Sequence, residues 1–89
     1  MNDMNVSPIV SVIITTYNRP DLLPRAINSV LNQTFDNLEC IVVDDCSPGS
    51  ETKTLVQSID DERLRYIRHD KNRGLSAARN TGIECAQGN

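Results

Sequence analysis

Residues 40–50 read CIVVDDCSPGS, and the fold of the chain turns on how they are read. Cys40, Ile41, Val42 and Val43 form an unbroken apolar run of β-branched character, the pattern of a strand covered on both faces. The run ends in two adjacent carboxylates, Asp44 and Asp45, followed by Ser-Pro-Gly turn chemistry. Successive side chains of a strand point to opposite faces, so Asp44 and Asp45 are not expected to serve one ligand together while the strand stays regular.

Working outward, IVSVIITT, from Ile9 to Thr16, is a second nearly continuous β-branched run. YNRP breaks it. Pro20 suits a first helical turn and Asp21 the positive end of the helix dipole. Leu22, Leu23, Ala26, Ile27, Val30 and Leu31 then recur at three- and four-residue spacing, which predicts an amphipathic helix of about three turns. After LECIVVD, Ser50 can cap a helix carrying Leu55, Val56 and Ile59 on one side. RLRYIRH reads as a third short strand, and LSAARNTGIECAQ as a helix ending at Gly88. Gly82 within that helix is expected to make a close-packing contact with the sheet.

The order is β-α-β-α-β-α with short connections. It predicts an α/β fold, a three-layer Rossmann-like unit with a parallel sheet. Residues 1–8 read as a flexible leader and residues 9–89 as one domain. In open sheets of this kind ligands bind beyond the carboxyl ends of the strands. Those ends carry TTYNR, DDCSPG and RHDKNRG.

Composition narrows the function. The net charge of -3 gives no support for a nucleic-acid partner. Aromatics are scarce, so a stacking platform has to come from Tyr17, Phe35 or Tyr66. Cys40, Cys46 and Cys85 form no CxxC and read as reduced thiols, which points to a cytoplasmic chain. His69, the only histidine, reads as a strand-end or surface residue. The N-terminus lacks a basic region of signal-peptide type, and no stretch approaches the roughly 18 apolar residues of a membrane span.

The first strand-to-helix turn, TTYNRPDLL, holds no glycine, which excludes both the dinucleotide fingerprint and a P-loop. It offers an aromatic ring flanked by hydroxyls and an amide, suited to stacking on a base or sugar. With VSVIITTYNRPDLLPRAINSVLNQTF, LECIVVDDCSPGS, RYIRHDKNRGLSAARNTGI and AQGN in this order, the chain resembles the N-terminal half of the family 2 glycosyltransferases. The resemblance covers about residues 9–89. It implies the GT-A fold and an inverting, metal-dependent transfer from a nucleotide-sugar donor, most simply a UDP-sugar.

Carried over position by position, the resemblance makes Thr15, Tyr17 and Asn18 donor-contacting, with the tyrosine packing on uracil. It gives Asp45, rather than Asp44, the base N3–H, and leaves Asp44 a structural role, accepting from backbone N–H groups of a neighbouring loop. NRGLSAARN matches the Asn-x-Gly-x-x-x-Ala-Arg-Asn segment, in which Arg79 faces the nucleotide and Asn72 and Gly74 shape the loop over it. Plainer roles stand beside these: Tyr17 as a cap on the core, Arg79 in an ion pair with Asp44 or Asp45, and Asn72 and Asn80 as loop and helix-surface hydrogen bonders.

The resemblance also implies a Mg2+ or Mn2+ ion held by an Asp-x-Asp motif, and a general base, both beyond Asn89. Asp44-Asp45 and Asp60-Asp61 stand in the wrong context for that motif. The 89-residue chain is therefore expected to bind no metal by itself and to transfer no sugar. Its first strand, Ile9 to Thr16, is expected to be left as an apolar edge prone to self-association. The alternatives are a small α/β binding or signalling module of receiver type, whose acidic residues are out of register here, and a purely dimerising domain.

Overall fold

The computed structural model describes residues 10–33 and 37–86. The expected leader at 1–8, Ile9, Phe35 and the helix stop at Gly88 lie outside the described residues. Six elements alternate as expected: β1 (Val10–Thr16), α1 (Leu23–Leu31), β2 (Leu38–Asp44), α2 (Glu51–Gln57), β3 (Leu64–Arg68) and α3 (Leu75–Cys85).

The three strands form one parallel sheet in the order β1-β2-β3. Register pairs Val10 with Leu38 and Thr16 with Asp44, and across the other side of β2 it pairs Cys40 with Leu64 and Asp44 with Arg68. β2 is central and buried along its whole length, as its apolar run requires. Among the described residues β1 lies at the sheet edge and is mostly half-buried, so its apolar run is less covered than the sequence suggests.

Strand alternation sorts the core into two faces. Cys40 and Val42 pack on α1 and α2 with Leu23, Ile27, Val30 and Val56, while Ile41 and Val43 pack on α3 around Ala78. Ile27 is fully buried, and such burial contributes about 1.5–3 kcal/mol. The result is three layers, α1 and α2 on one side of the sheet and α3 on the other.

The first helix is shorter than its apolar spacing suggests. Pro24, not Pro20, occupies its first turn. Residues 19–22 form a preceding turn in which the Leu22 and Leu23 amides both donate to the Arg19 carbonyl, at 3.2 and 3.1 Å. Leu22 and Ala26 consequently stay exposed, while Leu23, Ile27 and Val30 are buried in the core and Leu31 packs half-buried against it. Asp21 pairs with Arg19 at 3.3 Å on the surface instead of capping the helix. Ser50 does hold the cap position of α2, through its carbonyl to the Thr54 amide (2.9 Å) and not through its hydroxyl.

Gly82 meets its expectation. It is buried in α3, and a Cβ placed there would lie 2.5 Å from Ile13 Cγ2. Its lack of a side chain sets how closely α3 approaches β1. At the opposite end of the same face, buried Glu39 accepts from Ser11 Oγ (2.6 Å) and Arg65 Nη1 (2.9 Å), and Arg65 also donates to the Cys85 carbonyl. This network ties the starts of all three strands to the end of α3.

Candidate functional site

Polar residues gather where the strands end. The two aspartates leave β2 on opposite faces, and each organises a different set of loops. Asp44, on the α1 side and 1 % exposed, accepts at Oδ1 from the Ser47 amide (2.8 Å) and hydroxyl (2.6 Å), and at Oδ2 from Tyr66 Oη (2.6 Å). Ser47 Oγ in turn accepts from the Asn18 amide at 2.7 Å. One carboxylate thus clasps the loops after β1 and β2 and pins both to β3. The clasp sustains Cys46 at φ 67° and Asn18 at φ 53°, left-handed backbone that costs roughly 1–2 kcal/mol for a side-chain-bearing residue.

Asp45 emerges toward α3. Its amide donates to the Thr16 carbonyl (2.9 Å), which carries the β1–β2 ladder one residue further. Its Oδ1 accepts from the Arg73 amide (2.8 Å) and faces His69 Nδ1 (2.9 Å), while Oδ2 accepts from the Gly74 amide (2.8 Å). These donors favour the charged form, Arg73 first and His69 next, and hold the Asp45 carboxyl below its ordinary value. Asp44 has the structural role expected of it, but with different partners. Asp45 takes the backbone amides of a neighbouring loop, while Asp44 takes donors from its own loop and a tyrosine.

A hollow of about 150 Å³ opens beside Asp45, lined by Thr15, Thr16, Tyr17, Asp45, Leu75 and Ala78. Thr15, Tyr17 and Asp45 are thereby brought to one rim, on the face that carries α3. Tyr17 is 47 % exposed, so its ring stands at the mouth and does not cap the core. A second hollow of about 210 Å³ shares Thr15, Thr16 and Tyr17 and opens on the α1 side toward Leu22 and Ala26.

The remaining candidates divide. Gly74, at φ 95°, starts α3 and contacts Asp45 through its amide. Asn18 supports the rim through its amide bond to Ser47, not as part of the lining. Asn72 is exposed on the loop before Gly74. Arg79 is exposed on α3, outside the hollow's lining, and makes no ion pair or hydrogen bond among the described residues. Its expected ion pair with Asp44 or Asp45 is not formed.

Sequence reasoning missed three contributors. His69, read only as a strand-end or surface residue, is buried between Asp45 and Thr81. Strand parity was the available signal, because His69 continues the odd-numbered side of β3 that faces α3. Tyr66 and Ser47 carried no local sign of their bonds to Asp44. The three cysteines are free thiols, and burial pushes Cys40 up to about 11. Among the described residues no three His, Cys, Asp or Glu side chains come together to hold a metal ion. Asp44 and Asp45 are already occupied by protein donors, so the residues described here do not fit the ion that the resemblance implies.

A parallel Rossmann-like layer with an aromatic and a carboxylate at its carboxyl rim defines an open-sheet α/β unit, a class that places its ligands beyond the strand ends. The chain matches the Glycosyl transferase family 2 model over residues 11–89, and it belongs to that family. It is 46 % identical over 81 residues to the succinoglycan biosynthesis protein ExoO of Rhizobium meliloti, covering 91 % of this chain and 23 % of that protein. Among solved structures, it superposes on a mannosyltransferase from Pyrobaculum calidifontis, in complex with GDP-Man and Mn2+, with a TM-score of 0.75 and 28 % identity. That match covers 92 % of this chain and 25 % of the other. TarS of S. aureus gives a TM-score of 0.78 at 29 % identity, over 90 % of this chain and 25 % of that one. The chain spans about a third or less of the length of the curated relatives it matches and a quarter of each of these structures. Among the described residues no helix is long and apolar enough to cross a membrane.

Proposed function

We propose that this chain supplies the donor-nucleotide half of an inverting glycosyltransferase of polysaccharide biosynthesis, working in the cytoplasm and taking the base of a UDP-sugar at its strand-end rim. The carrying observation is the convergence of Thr15, Tyr17 and Asp45 on one hollow. In this reading Tyr17 offers its ring face to the base, Thr15 a hydroxyl, and Asp45 accepts the base N3–H. Asn18, Asn72 and Gly74 shape the surrounding loops, and Arg79 swings toward the diphosphate.

The acceptor count on Asp45 supports uracil over guanine. An ionised carboxylate offers about four lone-pair sites, and His69, Arg73 and Gly74 occupy three of them. One site remains, which suits a base edge with one N–H between two carbonyls. Guanine presents two adjacent N–H donors and would leave one unpaired, a costly mismatch in a desolvated site.

Transfer with inversion needs a base to take the proton of the acceptor hydroxyl as it attacks the anomeric carbon, and a group to stabilise the departing diphosphate. In this reading both come from sequence outside the described residues. A divalent ion, when bound by such sequence, supplies the diphosphate stabilisation.

The test is titration of the chain with UDP, followed by amide NMR. Saturable shifts confined to residues 15–18, 45 and 72–79, weakened by Tyr17→Ala and by Asp45→Asn, are expected. No saturable shift at millimolar UDP would refute the reading. The chain alone is expected to transfer no sugar, and measurable transfer to a saccharide acceptor would overturn that part.

A second observation concerns the edge of the sheet. Among the described residues β1 pairs only with β2, and Leu22 beside it is 50 % exposed. Such an edge is a template for strand addition, so the reading includes self-association of two copies through β1, antiparallel about a two-fold axis. Sedimentation at high micromolar concentration should detect the dimer and Val12→Lys should abolish it; a monodisperse wild-type monomer would count against it.

A further inference from the structure

We infer that His69, anchored by Thr81, is a positioning residue that orients the Asp45 carboxylate and thereby sets base selectivity. The inference rests on the reading of Asp45 as the carboxylate that meets the base, and deepens it. His69 follows β3, and its amide donates to the Asp44 carbonyl at 2.9 Å, prolonging the β2–β3 ladder past Arg68. That extra rung fixes the side chain on the α3 face, where it is 6 % exposed. Nδ1 lies 2.9 Å from Asp45 Oδ1 and Nε2 lies 2.8 Å from Thr81 Oγ. One imidazole therefore joins the end of β2, the end of β3 and the middle of α3.

The chemistry of each contact defines the tether. An ionised carboxylate only accepts, so Nδ1 carries the proton that Asp45 receives. Thr81 Oγ also lies 3.0 Å from the Ala77 carbonyl, so its hydroxyl proton has two acceptors within reach. Donated to Ala77, it leaves Oγ to accept from a protonated Nε2; donated to Nε2, it satisfies a neutral ring. Both arrangements keep the Nδ1–H directed at Asp45.

The other two donors to Asp45, the amides of Arg73 and Gly74, belong to the connection leading into α3, in which residues 70–73 are exposed. His69 alone of the three holds Asp45 through a side chain buried against the sheet. Without it the carboxylate moves with that connection, and its one remaining acceptor site is no longer aimed at a fixed base edge. Positioning through a second residue of this kind is what keeps a recognition group within the narrow tolerance that specificity needs.

The test compares UDP with its N3-methyl analogue, in which a methyl group replaces the N3–H and every other group is kept. Wild-type chain is expected to prefer UDP by about tenfold or more, the factor carried by one hydrogen bond to a charged acceptor. His69→Leu should bring the two affinities to within about twofold, and His69→Asn, whose amide N–H can replace Nδ1–H, should restore most of the preference. A merely structural role would lower both affinities equally and leave their ratio unchanged, which would overturn the inference. Should His69→Leu fail to fold, Thr81→Val removes the ring's second anchor and is expected to narrow the ratio about threefold; an unchanged ratio in that variant again overturns it. If wild-type chain does not distinguish the two nucleotides, the reading of Asp45 itself falls.

Discussion

Replacing Gly82 by alanine tests the close approach of α3 to the sheet. Alanine is the better helix former by about 1 kcal/mol, so on local propensity alone Gly82→Ala should stabilise the chain. The tertiary contact opposes it. The added Cβ would lie 2.5 Å from Ile13 Cγ2, 3.1 Å from Cγ1 and 3.2 Å from Cδ1. Carbon atoms rest at about 3.5–4.0 Å, so the first contact is short by roughly 1 Å. Ile13 is β-branched and has little χ1 freedom with which to give way. Overpacking of this kind costs about 1–3 kcal/mol and relief requires α3 to lift from β1. Net destabilisation of about 1–2 kcal/mol is expected in urea unfolding at constant m-value. In an Ile13→Ala background all three opposing atoms are gone, and the same substitution should become neutral or stabilising by up to about 1 kcal/mol. A Gly82→Ala chain that is more stable than wild type with Ile13 intact would refute this account of the packing.

Tyr66→Phe removes the hydroxyl that donates to Asp44 Oδ2 at 2.6 Å, and a hydrogen bond to a charged group contributes about 1.5–3 kcal/mol. A loss of that size is expected in urea unfolding, whereas a change below about 0.5 kcal/mol would mean that Asp44 finds another donor. Gly74→Ala forces a side chain into backbone at φ 95°, at a cost of order 1–3 kcal/mol; accelerated hydrogen exchange of the Arg73 and Gly74 amides should accompany it. The Asp45 carboxyl is held below its ordinary value of 3.8, so its contribution is complete above that pH and is lost as pH falls through the lower folded value. An NMR titration downward from pH 5 should show the Arg73 and Gly74 amides released only below about pH 3.8; release centred near pH 5 would contradict the assigned bonds.

The strands, the helices and their alternation were legible in the residues because each depends on local periodicity. CIVVDD marks a buried strand and its exit, and the apolar spacing after Pro20 marks a helix. Helix boundaries were less legible: the turn at residues 19–22 displaced the start of α1 and left Leu22 in solvent. The opposed directions of Asp44 and Asp45 also followed from the sequence, since strand side chains alternate whatever the strand is paired with.

Which groups those carboxylates meet was decided only in three dimensions. Opposite β2, Thr16 pairs with Asp44 and Arg68 stands on the other side, a register that sums many weak contacts across separate segments. Once it is set, Tyr17 comes to the rim beside Asp45, although 28 positions separate them in the chain. The same closure buries His69 against Asp45 and delivers the Arg73 and Gly74 amides to it. Periodicity is a property of neighbours along the chain and can be read from them. A carboxylate's hydrogen-bond partners come from distant loops, and only the folded register brings those loops together.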